Sequence, residues 1–278
     1  MEFLMPPISK LFLPPPDLAG CLMAGIYRDT RGANLSDADR MNHFPASPLV
    51  AITLVQLGTL HMLPAGTGWQ EAAQTSPLPR KSVISPQDVP VTSWTQGDVV
   101  ALTVGIYPDA WRALGGDDAC STLPPVLDEA IERFDNAGTA AEGWAALCDK
   151  LENSWRAART DSWSPVTRIS DWSTALATRA ALSGAGCSLR SIERKIKRYS
   201  GHTQRSLNFY SNIEQLHAQS RRSAGQPLAE IAIEAGYSDQ SHMGRSVRRA
   251  TGFSPARLNK AIETEESFWC YRLLGERF

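Results

Sequence analysis

The feature that most constrains this 278-residue chain is a pattern that occurs twice. In Pro227 to Pro255, PLAEIAIEAGYSDQSHMGRSVRRATGFSP, the residues Leu228, Ile231, Ala232 and Ala235 fall at i, i+3, i+4 and i+7 and predict one apolar face of a short helix. Gly236 and Tyr237 break that helix. Ser238 and Asp239 then offer side-chain oxygens to cap a second helix, with Met243 and Val247 as its apolar face. Gln240, Ser241, His242, Arg245, Arg248 and Arg249 occupy the other faces. Thr251-Gly252 reads as a glycine stop, and Ser254-Pro255 as the cap and first turn of a further helix. Sliding the chain by 51 residues aligns Ile192 with Met243, Arg194 with Arg245, Ile196 with Val247, Lys197 with Arg248, Arg198 with Arg249, Gly201 with Gly252 and Leu207 with Leu258. Ser188 to Tyr199, SLRSIERKIKRY, is therefore expected to be another capped helix, with Arg190, Glu193 and Arg194 turned away from Ile192 and Ile196. The expectation is two helix-turn-helix units in one chain.

At these residues the sequence resembles the AraC/XylS family of bacterial transcription regulators. IAIEAGYSDQSHMGRSVRRATGFSP is similar to that family's signature across its second helix-turn-helix, and SLRSIERKIKRYSG is similar to its first recognition helix and the glycine that follows. The resemblance covers roughly Pro165 to Ile262. Met243 stands where an aromatic is usual, Thr203-Gln204 where Ser-Pro is common, and Gly244 where a side chain able to reach DNA is frequent. The resemblance implies a sequence-specific activator or repressor that works in the cytoplasm. It implies neither a cofactor nor an enzymatic activity.

Charge supports a division of labour. Residues 1 to 164 hold 11 Lys and Arg against 19 Asp and Glu, a net of -8, while residues 165 to 278 hold 17 against 10, a net of +7. A polyanion-binding module joined to a module with another task has this asymmetry. Cys21, Cys120, Cys148, Cys187 and Cys270 are odd in number, scattered and without a Cys-x-x-Cys pair, so neither a disulfide framework nor a zinc site is expected. Cys187 precedes the first recognition helix, yet its counterpart in the second copy is Ser238, and a small turn residue suffices there. The opening MEFLMPPISK lacks the pattern of a signal peptide, and apolar runs are too short for a membrane span.

Proline and glycine recur through residues 1 to 116, which read as a small strand-rich domain. Residues 1 to 20 read as an irregular lead-in and Asp29 to Asn42 as a polar loop. Strands are expected at Cys21 to Arg28, at Leu49 to Leu63 with a turn or bulge near Gly58, at Arg80 to Ser85 and at Val99 to Tyr107. A helix follows at Pro108 to Leu114. This half is similar to the sensor domain that some members of the family carry, which implies an effector or a partner protein bound there. Residues 117 to 164 supply a helical hairpin, Pro124 to Phe134 and Ala140 to Arg159, and a linker at Thr160 to Pro165. The hairpin's apolar faces suit either completion of a core or a dimer interface. Residues 165 to 278 form the all-α DNA-binding domain, in which residues 206 to 222 read as one long helix joining the two units. The fold class is thus α+β. A stiff connector would set the two recognition helices about 34 Å apart, as successive major grooves require.

Guanidinium groups suit bidentate contact with guanine, so Arg194 and Arg245, six residues beyond the caps, are expected to read bases, with Arg190, Glu193, Gln240 and Ser241 on the early turns. Glu193 would accept from cytosine and Gln240 would pair with adenine. Lys197, Arg198, Arg205, Arg248 and Arg249 are expected on phosphates, and His242, beside Met243, either bonds a phosphate or holds the turn. His43 and His61 lack a third ligand at metal-binding spacing, and the tryptophans Trp69, Trp94 and Trp111 read mainly as core with one or two as cavity lining. Double-stranded DNA is the expected partner, with RNA polymerase, a second copy of the chain and a small-molecule or protein effector as further candidates. Two alternatives remain from the sequence: an interaction module whose helix-turn-helix repeats have lost DNA binding, and a DNA-repair alkyl acceptor, which would need a reactive cysteine setting.

Overall fold

The structure is a computed structural model and describes residues 5–63, 66–160, 163, 165–183, 188–222, 233–234 and 236–276. Its strands are β1 (Ile8–Phe12), β2 (Leu22–Asp29), β3 (Met41–Phe44), β4 (Val50–Leu57), β5 (Leu60–Leu63), β6 (Lys81–Ile84), β7 (Val91–Thr95) and β8 (Val100–Ile106). They pair antiparallel in a five-stranded sheet, β1-β2-β8-β4-β6, and a three-stranded sheet, β3-β7-β5. The apolar run Leu49 to Leu63 becomes two strands because it breaks at Gly58, and the break sends β4 and β5 to different sheets. Gly58 has φ 80°, and a Cβ there would lie 2.2 Å from the Asp98 carbonyl oxygen, so only glycine fits this turn.

β1 corrects the expectation of an irregular lead-in, β3 begins inside the expected loop Asp29 to Asn42, and β7 was not foreseen. β1 carries Ser9 and Lys10 and holds its place by pairing with β2 from Ile8↔Asp29 to Phe12↔Gly25. β3 has only four residues, and β7 lies between Pro90 and Gly97; pairing decides both, since short strands are set by neighbours more than by local propensity.

Successive strand residues point to opposite faces, and the large sheet uses both. Ile52, Leu54, Leu102, Val104 and Ile106 are buried on one face, against the helices that follow. These include α2 (Pro108–Ala113), α3 (Pro125–Asp135) and α4 (Ala140–Ala158), after a single turn α1 (Trp69–Ala72). Leu127, Ile131 and Phe134 of α3 and Trp144, Leu147, Cys148, Leu151 and Trp155 of α4 enter this core, so the hairpin's apolar faces are covered within the chain. Trp144 lies on β2 at Gly25, where a Cβ would come within 2.5 Å of its ring. Full burial of each large side chain contributes roughly 1.5–3 kcal/mol.

The C-terminal helices are α5 (Ile169–Leu182), α6 (Leu189–Ser200), α7 (Gln204–Arg222), α8 (Gln240–Thr251), α9 (Pro255–Thr264) and α10 (Trp269–Gly275). The main core continues into the first unit through Trp172, Leu176, Ala180, Ile196 and Leu207. The second unit has its own cluster, with Leu216, Tyr237, Met243, Val247, Leu258 and Phe268. The chain's end then returns to the sheets, where Trp269, Cys270 and Leu273 pack with Leu11, Ile26 and Phe44. The expected helix through Leu228, Ile231, Ala232 and Ala235 lies outside the described residues, as does Cys187.

His43 is held at this junction, its ring 5.4 Å from Phe253 and 4.6 Å from Phe268, with Nδ1 3.2 Å from the Thr92 hydroxyl. Burial lowers its pKa from 6.5 to about 4, with Arg257 adding to the effect and Glu265 opposing it. A depressed histidine pKa means that the unfolded chain takes the proton first, so its contribution is full above pH 6.5 and is lost toward pH 4. Comparing urea unfolding near neutral pH and near pH 4.5, His43→Phe should remove about 2 kcal/mol of the wild-type loss. An unchanged acid loss would show that His43 is not held neutral.

Candidate DNA-reading helices and an interdomain cavity

Helices α6 and α8 are built alike from equivalent residues. The Ser188 hydroxyl accepts the N–H of Ser191, and the Asp239 carboxylate accepts that of His242 at 2.7 Å. The latter bond, with Ser238 and Arg245 contributing, holds the Asp239 carboxyl below its ordinary range. Both helices have 12 residues and end on a left-handed glycine, Gly201 at φ 78° and Gly252 at φ 83°. Ser200 and Thr251 each donate a hydroxyl to the carbonyl four residues back at 2.8 Å. Thr203 and Ser254 then cap α7 and α9 by accepting from the N–H groups of Ser206 and Arg257. The duplication thus extends into the helix that follows each reader.

Arg190, Glu193 and Arg194 on α6 are exposed, as are Gln240, Ser241 and Arg245 on α8. Lys197, Arg198, Arg205, Arg248 and Arg249 are exposed as well. The Arg249 guanidinium lies 4.3 Å over Phe209, and that of Arg198 lies 5.5 Å from Tyr199. His242, also exposed, sits with Nδ1 3.2 Å from the Ser238 hydroxyl and its ring edge-on to Tyr237. A Cβ at Gly244 would meet nothing within 4 Å, so packing does not demand the glycine.

Both units are fastened to the strand-rich body by groups not foreseen from the sequence. Asp109, 7% exposed, accepts from Trp172 Nε1 at 2.9 Å and from Arg179 at 2.7 Å. Burial raises its pKa in spite of Arg179. Arg112 donates to the Tyr199 carbonyl at 2.6 Å, at the end of α6. On the second unit, the Ala46 N–H bonds the Ala250 carbonyl at 2.7 Å, Arg28 pairs with Glu266, and Trp269 Nε1 donates to Asn42 at 2.7 Å.

Between the body and the second unit lies a cavity of about 770 Å³. Its floor is the other face of the large sheet, where the register sets Ala24 beside Gly105 and Gly105 beside Ala51. Thr53 and Thr103, paired across the same strands, share a hydrogen bond of 3.0 Å. Small side chains on this face leave the space that the large ones fill on the opposite face. The facing wall includes Ile213 of α7, Met243, Val247 and Thr251 of α8, and Leu258 of α9. Trp69, Trp94 and Trp111 are not among the described lining residues: the first two pack with Met41 and Leu63, and Trp111 is in the main core. The usable signal was the alternation of small with large residues in ALTVGI.

Among the described residues no group of three or more His, Cys, Asp or Glu could hold a metal ion, and no helix is long and apolar enough to cross a membrane. Cys21, Cys120, Cys148 and Cys270 are buried, and burial pushes the Cys148 and Cys270 thiols up to about 12. Such thiols stay protonated and are poor nucleophiles.

Two capped helices, duplicated at one spacing and carrying exposed arginines, are what a pair of helix-turn-helix units presents to DNA. A family model for a helix-turn-helix domain matches residues 182–261. That family model is the AraC-type helix-turn-helix, and the match is confined to these residues. No curated protein matches the chain. Among solved structures, it is similar to ToxT from Vibrio cholerae O395, at 10% identity and TM-score 0.36 over 78% of this chain and 92% of that one. It is likewise similar to ToxT from Vibrio cholerae O395 bound to (E)-4-(8-methylnaphthalen-1-yl)but-3-enoic acid, at 9% identity and TM-score 0.37 over 91% and 98%. A third is unsaturated fatty acid bound wild-type ToxT from Vibrio cholerae strain SCE256, at 10% identity and TM-score 0.36 over 78% and 93%.

Proposed function

We propose that the chain is an effector-responsive, sequence-specific transcription regulator of the cytoplasm. Residues 165–278 read DNA, residues 1–116 hold the effector against them, and the hairpin within 117–164 braces the sheet. Arg194 and Arg245 contact guanine, Arg190, Glu193, Gln240 and Ser241 contact neighbouring bases, and Lys197, Arg198, Arg205, His242, Arg248 and Arg249 hold phosphates. RNA polymerase and a second copy of the chain are the protein partners such a role involves. One observation carries the effector part: the helix that presents Gln240, Ser241 and Arg245 on its exposed side turns Met243, Val247 and Thr251 to the cavity. An occupant therefore bears directly on a reading helix, and a difference in its affinity between two positions of that helix is what couples effector to DNA.

Selection of genomic fragments by the purified full-length protein, followed by sequencing, should return two short blocks with centres about one helical turn apart. On that site Arg194→Ala or Arg245→Ala should each cost about 1–3 kcal/mol and relax preference in one block only. Equal losses on random DNA would mean that these arginines touch phosphates alone.

A further inference from the structure

The cavity wall has a charge pattern of its own. Its described lining residues include two glutamates, Glu214 and Glu263, and no lysine or arginine. Glu214 is 8% exposed and fixed in place, because its Oε2 accepts the N–H of Ile169 at 2.8 Å and that of Ser170 at 3.4 Å, at the start of α5. His217 also lines the wall, three residues along α7 from Glu214. The remaining polar groups are neutral. Thr53 and Thr103 bond each other, and Tyr210 donates to the Gln87 carbonyl at 3.2 Å. Tyr271 lines the cavity too, and its buried hydroxyl has no hydrogen-bond partner among the described residues.

We infer that this cavity takes a neutral, mainly hydrocarbon molecule bearing one hydroxyl, ester or ketone oxygen, which accepts from Tyr271, and that it rejects carboxylates. The inference rests on the reading of the cavity as the effector site. A carboxylate carried in would lose its water, meet no described cation and face Glu214, and an unpaired buried ion is strongly disfavoured. A hydroxyl or carbonyl on the same hydrocarbon exchanges a bond to water for one to Tyr271 at little cost. The volume of about 770 Å³ lies within the range of small-molecule sites.

The probes are dodecanol, methyl dodecanoate and dodecanoate, titrated calorimetrically into the full-length protein below their aggregation limits, at a pH where the acid is ionised. The neutral probes should bind at least about tenfold more tightly than dodecanoate, about 1.4 kcal/mol. Tyr271→Phe should weaken the ester about threefold to tenfold. Ala51→Phe, which fills the cavity from the sheet, should abolish binding of the neutral probes. Gly105→Val serves the same end if that variant folds poorly, since the one tight approach to a Cβ there is the flexible end of Leu49, at 3.0 Å, with Met23 Cβ at 3.7 Å and the Ala24 carbonyl oxygen at 3.8 Å in ordinary contact. Dodecanoate binding as tightly as the alcohol, and lost in the filled variants, would overturn the neutral assignment and leave the cavity as effector site. An unchanged ester affinity in Tyr271→Phe would overturn the assigned donor. Failure of all three probes to bind, or binding that is equal in the filled variants, would overturn the effector-site reading together with the inference.

Discussion

Asp109→Ala is expected to lower the unfolding free energy by about 3–5 kcal/mol, the cost of leaving a buried charge without its partner. Arg179, with its side chain 15% exposed, would keep its cation at the junction of the body and the first helix-turn-helix unit, and the Trp172 N–H would lose its acceptor. Arg179 could not simply swing into water, because its guanidinium also lies 4.4 Å from the Trp163 ring and 5.2 Å from Tyr199. The double variant Asp109→Leu, Arg179→Met should regain most of the loss. Burial raises the Asp109 pKa even beside Arg179, a sign that desolvation outweighs the attraction between the pair. Urea midpoints at constant slope measure both variants. A loss under about 1 kcal/mol for the single change would mean that water reaches the pair.

Trp269→Ala should cost a similar amount, about 3–5 kcal/mol, by a different route. The indole is 5% exposed, packs edge-on to Phe44 at 6.0 Å, lies 4.9 Å from the Arg28 guanidinium and donates to Asn42. Truncation opens a hole between β3 and α10, and leaves the buried Asn42 oxygen short of a donor. Trp269→Phe keeps most of the packing and should cost about 1–3 kcal/mol, chiefly the lost hydrogen bond. Arg28 bonds Glu266 at 2.5 Å, and Arg272 bonds the same carboxylate at 2.8 Å, so charge and packing fasten this end together. Because Cys270, Tyr271 and Leu274 line the cavity in the same helix, Trp269→Ala should also weaken ligand binding, which the calorimetric titration would reveal.

The readers were legible in the sequence because their determinants are local. A cap, an apolar pair four residues apart and a stop glycine lie within 14 residues, and they recur as Ser188–Gly201 and Asp239–Gly252. The long connector and the helical hairpin were legible for the same reason, each carrying its periodicity in one segment. β1, β3 and β7 were not, since strands of four or five residues owe their place to partners. Nor could Asp109 be singled out: in GIYPDAW it reads as an acidic residue in a first helical turn, while Arg179 stands 70 residues away. The cavity is harder still, because its lining runs from Met23 to Leu274 and only tertiary structure gathers it. What one segment did carry was the small-large alternation of β8, whose meaning depends on what covers each face.

That alternation separates two kinds of information along single strands. Ile52, Leu102 and Val104 bear on whether the body folds, whereas Ala24, Ala51 and Gly105 bear on what fits above it. Enlarging a member of the small row by one or two carbons shortens the admissible occupant and leaves the packed face unaltered. On the proposed reading of the cavity, ligand preference can therefore drift by single substitutions while stability is under separate selection, so chains that share this scaffold can diverge in what they detect without relearning how to fold.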